Sequence, residues 1–384
     1  MQRNPIIPPL TGLRAIAAGI VFFYHWFFHY VEDLPLLIRA PFRVGYVGVP
    51  IFFALSGFLI ALRYYDDFAD SRTTYWAYMT KRIIRIYPLY FFVLTFFVAA
   101  FGRPTNMIPE TAFGWIVTYS LTQAFFPDLI FYGTLVGWTL TIELLFYLLA
   151  PWILRRIPRT MSMRNITLFL VALSLGFVAL GYTISRMPAD WLPHTIVGQE
   201  MNWIMHYSIF GHLPDFLIGV LFAFIYMKKG YFVKFGRYAS WLIWFSVLGM
   251  YLSTILLDTL GQPLGSFTDR ALAFLVAMFS SGLILGTAYD KKQANVVTRL
   301  LSTRWIIYLG FVSYALYLIQ LTEPVQWLYW LALGEYAGIE NRFVRAILLY
   351  IIVTPIAILL YKFVEKPSHY WLGWLLRRRK KQIS

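Results

Sequence analysis

The first apolar run of the chain, "LRAIAAGIVFFYHW" at residues 13–26, carries an arginine, Arg14, and a histidine, His25. Each is costly at membrane depth, by roughly 3 kcal/mol for a charged group at the centre of a helix. Eleven residues at about 100° each come to about three full turns, so a helix shows both side chains on one face, about 16 Å apart along its axis. One buried ionisable group can be a quirk, but two in line indicate a lined path or a site. A further run, "GTLVGWTLTIELLFYLLAPW" at 133–152, carries Glu143 as its only carboxylate. Counted by helical rise, Glu143 lies about 13 Å and His25 about 8 Å below the outer surface, so the two can face one another. A carboxylate beside an imidazole fixes its tautomer and raises its basicity, as general-base chemistry requires. The competing reading is a buried structural pair.

"KRIIRIYPLYF" at 81–91 places Arg82 and Arg85 at i and i+3, on one helical face at the cytoplasmic rim. Arg14 lies a turn inside the same rim. Guanidinium groups bind phosphate oxygens bidentately, so an anionic ligand entering from the cytoplasm would meet all three. The plain alternative is a positive-inside anchor. His29 follows His25 by four residues, with Glu32 and Asp33 on the next loop. An isolated pair of this kind is weak evidence for zinc, and no metal is expected. His194, His206, His212 and His369 have no partner legible in the sequence.

The elements that must position these groups are membrane helices. The chain has 384 residues, 59% hydrophobic and 13% charged, with a mean hydropathy of +0.63. Soluble domains are nearer one quarter charged. Apolar runs fall near 10–30, 44–63, 83–101, 134–154, 166–185, 206–227, 238–257, 270–289, 304–322 and 344–363, each about long enough to cross a bilayer. The expected fold is therefore all-α and polytopic, with about ten transmembrane helices. The net charge of +15 sits in short connections at 63–85, 155–164, 228–237 and 291–304 and in the tail "RRRKK", as the positive-inside rule predicts. That excludes a nucleic-acid partner and puts both termini in the cytoplasm. The apolar patch at 111–126 is short, and counting it as a span would reverse half the basic connections, so it reads as a re-entrant or interfacial segment. No connection can hold a separate domain, leaving one membrane domain over 1–384, with its core at about 10–367 and a basic tail at 368–384. No small-residue cleavage site follows the first run, which is expected to stay. Without cysteine there is no disulfide, thiolate metal site or acyl-cysteine. Gly48, Ser56 and Gly57 in the second run would let another helix approach closely.

Taken in order, "LTGLR" with "RAIAAGIVFFYH", then "GYVGVPIFFALSGFLI", "RIIRIYP" and "WTLTIELLFYLLAP" resemble the acyltransferase-3 family of integral membrane acyltransferases, over nearly the whole chain. The resemblance implies transfer of an acyl group, usually acetyl, from cytoplasmic acyl-CoA to a hydroxyl of a carbohydrate or related acceptor. Acyl-CoA would be a co-substrate, with no tightly bound cofactor. A carbohydrate or glycolipid would be the acceptor, and a bacterial plasma (inner) membrane the setting. It implies His25 as the catalytic residue with Arg14 as its partner in the motif, Glu143 as the acid, and Arg82 and Arg85 as the basic start of the third span. Ser56, Tyr87 and Trp138 are candidates to position ligands or stabilise an oxyanion. One departure stands out: "SYALYLIQ" has Gln320 where the family often has histidine. Gln320 can hydrogen-bond but cannot carry a proton at neutral pH, which points to a different acceptor contact. The soluble esterase-like domain fused to some members is absent, so the membrane core alone is expected.

Two readings from other classes compete. A transporter could move an anion or glycolipid along the path from Arg14 to His25, although no matching pair of broken helices is legible. A lipid-linked glycosyltransferase would use Glu32 and Asp33 on the first outer loop, but the large outer domain that it wants is missing.

Overall fold

The structure, a computed structural model, describes residues 7–27, 30–99, 108–228 and 238–370. His29, most of the basic connection at 228–237 and the "RRRKK" tail lie outside them. Among the described residues there are helices and no strand. Eight helices are long and apolar enough to cross a membrane, or nine if the bent pair formed by Arg304–Ile319 and Glu323–Tyr336 is one span. The chain is an all-α integral membrane protein.

Ten spans are expected from hydropathy, and the two that fall short do so for visible reasons. The third, α4 (Tyr75–Val93), holds Lys81, Arg82 and Arg85 within its 19 residues and passes into a π-type stretch at Leu94–Ala99. The ninth, α13 (Arg304–Ile319), breaks by 89° before α14 (Glu323–Trp327).

The chain divides into two compact units, residues 1–72 with 148–310 and residues 73–147 with 311–384. Of the three boundaries, one falls in the connection before α4 and the others inside α6 (Gly137–Arg155) and α13.

Unit 1 is built around α3 (Gly48–Ala69) and α9 (Ile209–Met227), which cross with almost no side chain between them. A Cβ at Gly57 would sit 2.0 Å from the Phe216 carbonyl oxygen, and one at Gly219 would sit 2.0 Å from that of Ala54. Only glycine permits this approach, and in lipid such packing replaces the hydrophobic drive that holds soluble helices together. α1 (Pro8–Phe27) joins in the same way: Gly48 meets the Ala17 backbone, and Gly12 lies against the Leu301 carbonyl of α12 (Val296–Leu301).

Polar contacts sort the connections of unit 1 by end. At one end Arg159 bridges Asp66 at 3.2 Å and Asp70 at 2.8 Å. There too the Tyr65 hydroxyl donates to the Ile157 carbonyl, and Lys228 donates to that of Met161. The basic connections that follow the second, fourth and sixth predicted spans therefore share one end. At the other, Asp258 on α10 (Ala239–Leu260) accepts Arg39 at 2.8 Å and faces Arg43 at 3.3 Å, both from α2 (Leu36–Arg43). Two cations on a side that the charge pattern assigns to the exterior thus share one carboxylate.

In unit 2, α5 (Ala112–Tyr119) has eight residues, about 12 Å of helix against a hydrocarbon core of about 30 Å. It runs back along α4. Tyr119 meets Thr95, the Tyr90 hydroxyl donates to the Thr118 carbonyl at 2.8 Å, and Ser120 and Leu121 reach the level of Arg82 to Tyr87. The chain then turns through short 3-10 stretches at Gln123–Phe125 and Pro127–Leu129 toward α6. The segment is too short to span, as expected of a re-entrant or interfacial one. The Thr111 side chain caps α5 by accepting from the Gly114 amide at 3.0 Å, the role for which threonine is favoured there.

Candidate active site

Arg14 and His25 lie on the unbroken 20-residue helix α1, so their three-turn spacing holds. Both are half-buried. His25 lies next to Tyr24, whose ring packs edge-on against Tyr46 at 5.6 Å. Ser56 is half-buried on α3 beside the Gly57 close approach. These residues belong to unit 1.

Unit 2 gathers another set. Arg82 is buried, and its guanidinium carbon lies 5.6 Å from the centres of two rings, Tyr78 and Tyr147. Cation–π contacts of this kind strengthen as water is excluded. The Tyr147 hydroxyl donates to Glu143 Oε1 at 2.5 Å, one helical turn away. Guanidinium, phenol ring and carboxylate thus form a continuous polar thread through apolar surroundings. Arg85, expected on the face of Arg82, is half-buried, and its carbonyl accepts from His369 Nε2 at 3.5 Å. The tyrosines around this thread brace the helices: Tyr314 donates to the Ile86 carbonyl at 2.8 Å, and Tyr317 shares a 3.0 Å hydrogen bond with Thr139.

Beside Arg82 lies a cavity of about 230 Å³. The α4 side chains Arg82, Ile83, Ile86 and Tyr87 form one wall, and Ser120 and Leu121, with Leu144 of α6, form the others. Trp138 is buried at the start of α6. Gln320 is fully buried where α13 ends, and neither atom of its amide has a hydrogen bond among the described residues. A buried amide left unpaired costs about 1–3 kcal/mol, an expense that a ligand contact would offset.

The structure thus brings Arg82, Glu143 and Tyr87 together within unit 2, with Trp138 and Gln320 in the same unit and His25, Arg14 and Ser56 in unit 1. Tyr78 and Tyr147 are functional candidates that sequence reading misses. Tyr147 was available as the i+4 neighbour of Glu143.

A second buried network is also absent from the sequence reading. Asp215 of α9 takes Arg270 of α11 (Phe267–Tyr289) at 2.7 Å, and His212 Nδ1 lies 2.9 Å from the same carboxylate oxygen. His212 Nε2 donates to the His206 carbonyl at 2.8 Å, and Arg270 donates to that of Gly211 at 2.9 Å. Asp269 accepts from Tyr46 and from the Gly265 amide. His206 and His212 therefore do have partners. The rule that singles out Glu143, a carboxylate in mid-span, applies equally to Asp215. His206, on the short helix α8 (Met201–Tyr207) outside the spans, is held well below the usual histidine range by burial first, and then by His212 and Arg270. Among the described residues no group of three or more histidine or acidic side chains could hold a metal ion.

The comparisons fit this anatomy. Residues 8–362 match the family model described as an acyltransferase domain. The chain is 28% identical over 233 residues to the acyltransferase MdmB of Streptomyces mycarofaciens, covering 57% of each protein. It is 24% identical over 334 residues to the O-acetyltransferase OatA of Staphylococcus aureus, covering 81% of this chain and 49% of that one. The chain thus matches about half the length of these relatives. No solved structure matches it. The membrane helices and the family motifs in their places lead to one statement: the chain belongs to the acyltransferase-3 family of acyltransferase domains.

Proposed function

We propose that this protein is an O-acyltransferase that moves an acyl group, acetyl by preference, from cytoplasmic acyl-CoA to a hydroxyl of a carbohydrate or glycolipid acceptor. It works from a bacterial plasma membrane, with both termini in the cytoplasm. The observation that carries this reading is the match to the acyltransferase domain across residues 8–362, with its motif residues on intact helices.

In this scheme Arg82, Arg85 and Arg14 take the phosphates of the donor, and Tyr87 and Ser56 position its arm. His25 removes the proton from the acceptor hydroxyl as that oxygen attacks the thioester carbonyl. A C–O bond forms, the C–S bond breaks, and the departing CoA thiolate takes up the proton from His25. Glu143 supports the charged imidazole, and Trp138 and Gln320 contact the acceptor. The likeness to OatA, named an O-acetyltransferase, supports acetyl as the group and oxygen as the atom acylated.

The test is acceptor-dependent release of CoA from acetyl-CoA by the protein in nanodiscs, run against a panel of glycans. Release lost in His25→Ala and in Glu143→Gln, with acetyl-CoA binding retained, is the expected result. Glycan transport without CoA release would put a transporter in its place.

A further inference from the structure

At the outer end of unit 1 the cations outnumber the acid that meets them. Arg39 and Arg43 stand one turn apart on one face of α2, and both reach the single carboxylate of Asp258 on α10. The Asp258 side chain is fully buried, whereas the two arginine side chains keep 27% and 33% of their surface exposed. Arg39 uses its donors: Nε donates to Asp258 at 2.8 Å and Nη1 donates to the Glu32 carbonyl at 3.2 Å. Arg43 does not. Its Nε lies 3.3 Å from Asp258 without a hydrogen bond, and its guanidinium makes none to any other described residue. A guanidinium carries five N–H donors. An excess positive charge and a set of unused donors therefore stand on the side where cations are scarce.

The surface around this pair is apolar. α2 presents Leu37 and Ile38, both exposed, beside its arginines. α10 presents Leu248, Leu252, Leu256 and Leu260, one every four residues and each about half exposed, the stripe of a helix that faces lipid. The Tyr251 hydroxyl, donating to the Leu37 carbonyl at 2.7 Å, ties the two helices together. A short helix with cations on one face and exposed aliphatic side chains on the next suits the membrane interface. On its other flank Phe42 packs edge-on against Phe23 and Phe27, with ring centres 6.3 and 5.6 Å apart. α2 is thus seated on the last turns of α1, the turns that carry His25.

The occupant must match both halves of this surface. Guanidinium groups prefer planar or tetrahedral oxyanions that take two hydrogen bonds, phosphate above all. A soluble phosphate would meet the charge and leave the leucines bare, and a neutral lipid would do the reverse. We infer that Arg43, with Arg39 beside it, is a site for the phosphate of an outer-leaflet lipid, and that it anchors an acceptor carried on such a phosphate next to the helix of His25. The binding site stands on the geometry of α2 and α10. The anchoring role rests on the proposed acyl transfer and narrows its acceptor to a carbohydrate joined to lipid through phosphate.

Native mass spectrometry of the full chain in detergent tests the site, with dioleoyl phosphatidic acid, dioleoylglycerol and glycerol 3-phosphate as probes. The first has phosphate and tails, and each of the others has one of the two. Wild type is expected to hold phosphatidic acid tighter than either by about tenfold, the worth of one charge-assisted hydrogen bond. Arg43→Gln should remove that advantage and leave dioleoylglycerol as it was. Its thermal unfolding should match wild type, because Arg39 keeps its hydrogen bond to Asp258. Equal phosphatidic acid binding by wild type and variant would overturn the site, and so would glycerol 3-phosphate binding as tight as that of phosphatidic acid. The anchoring role is read from the glycan panel supplied free and linked to a lipid phosphate. Arg43→Gln should raise KM for the linked form about tenfold more than for the free form. An equal change in both would overturn the anchor. No CoA release by wild type with either form would overturn the acyl-transfer reading and the anchor with it, while the phosphatidic acid result still decides the lipid site.

Discussion

In unit 1 the charges buried within the helices meet their opposites: Asp215 receives Arg270 and His212, and Asp258 receives Arg39 and Arg43. In unit 2 aromatic side chains join the buried polar groups. Arg82 lies over two tyrosine rings, Glu143 takes a phenol, and the amide of Gln320 makes no hydrogen bond among the described residues. The ion-paired network of unit 1 holds its helices in register. A buried amide without a hydrogen bond is where a ligand's hydroxyl finds binding energy. His25, on α1 of unit 1, is the catalytic candidate of that unit.

The sharpest way to break this contrast is to remove the proposed base from one unit and a paired charge from the same unit. His25→Ala should lower acyl transfer by roughly a hundredfold to ten-thousandfold, the contribution of a positioned general base, with acetyl-CoA binding kept. CoA release at the wild-type rate would remove His25 from the chemistry. Glu143→Gln should follow in the same direction, and a double-mutant cycle with His25→Ala should be non-additive.

Removing a partner from the paired set should instead cost stability. Arg270→Met leaves Asp215 buried without its cation and should destabilise the protein by about 3–5 kcal/mol, read by thermal unfolding in detergent. Arg270→Met combined with Asp215→Leu should recover most of that loss, because a matched apolar pair is no worse than a buried ion pair. Failure to recover would mean that the network does more than hold helices together.

Gln320→Leu sharpens the other side. Removing an unpaired buried amide should leave stability unchanged or raise it by about 1 kcal/mol, while transfer to the acceptor falls. A rate equal to wild type would take Gln320 out of acceptor recognition.

The smallest effect concerns pH. With its folded pKa lowered, His206 binds its proton more readily when unfolded. Its contribution is therefore fully present above the unfolded value of about 6.5 and is lost below it, by about 1.4 kcal/mol per pH unit. Melting curves between pH 7.5 and 5.5 should show this slope, and His206→Gln should flatten it.

Much of the scaffold was legible because hydropathy and charge act locally. The apolar runs became helices at the predicted places, the patch at 111–126 proved too short to span, and Gly48 and Gly57 mark close helix contacts. The end of α13 was legible in Thr322, Glu323 and Pro324, but the helical course of 323–336 after an 89° turn was not. Nor was the partnership of Asp215 with Arg270, which lie 55 positions apart in sequence.

The sequence alone determined that this chain lives in a membrane, which of its helices carry ionisable groups, and the spacing of Arg14 and His25, because those properties follow from residue type and helical period. Only the tertiary structure decided that the Arg82 guanidinium lies over Tyr78 and Tyr147, that Leu121 is held in a left-handed turn to wall a cavity, and that the amide of Gln320 is fully buried. Those outcomes depend on which side chains distant segments bring to the same place. No local pattern encodes that, because a membrane interior sets the price of an unpaired polar group but not the identity of its partner.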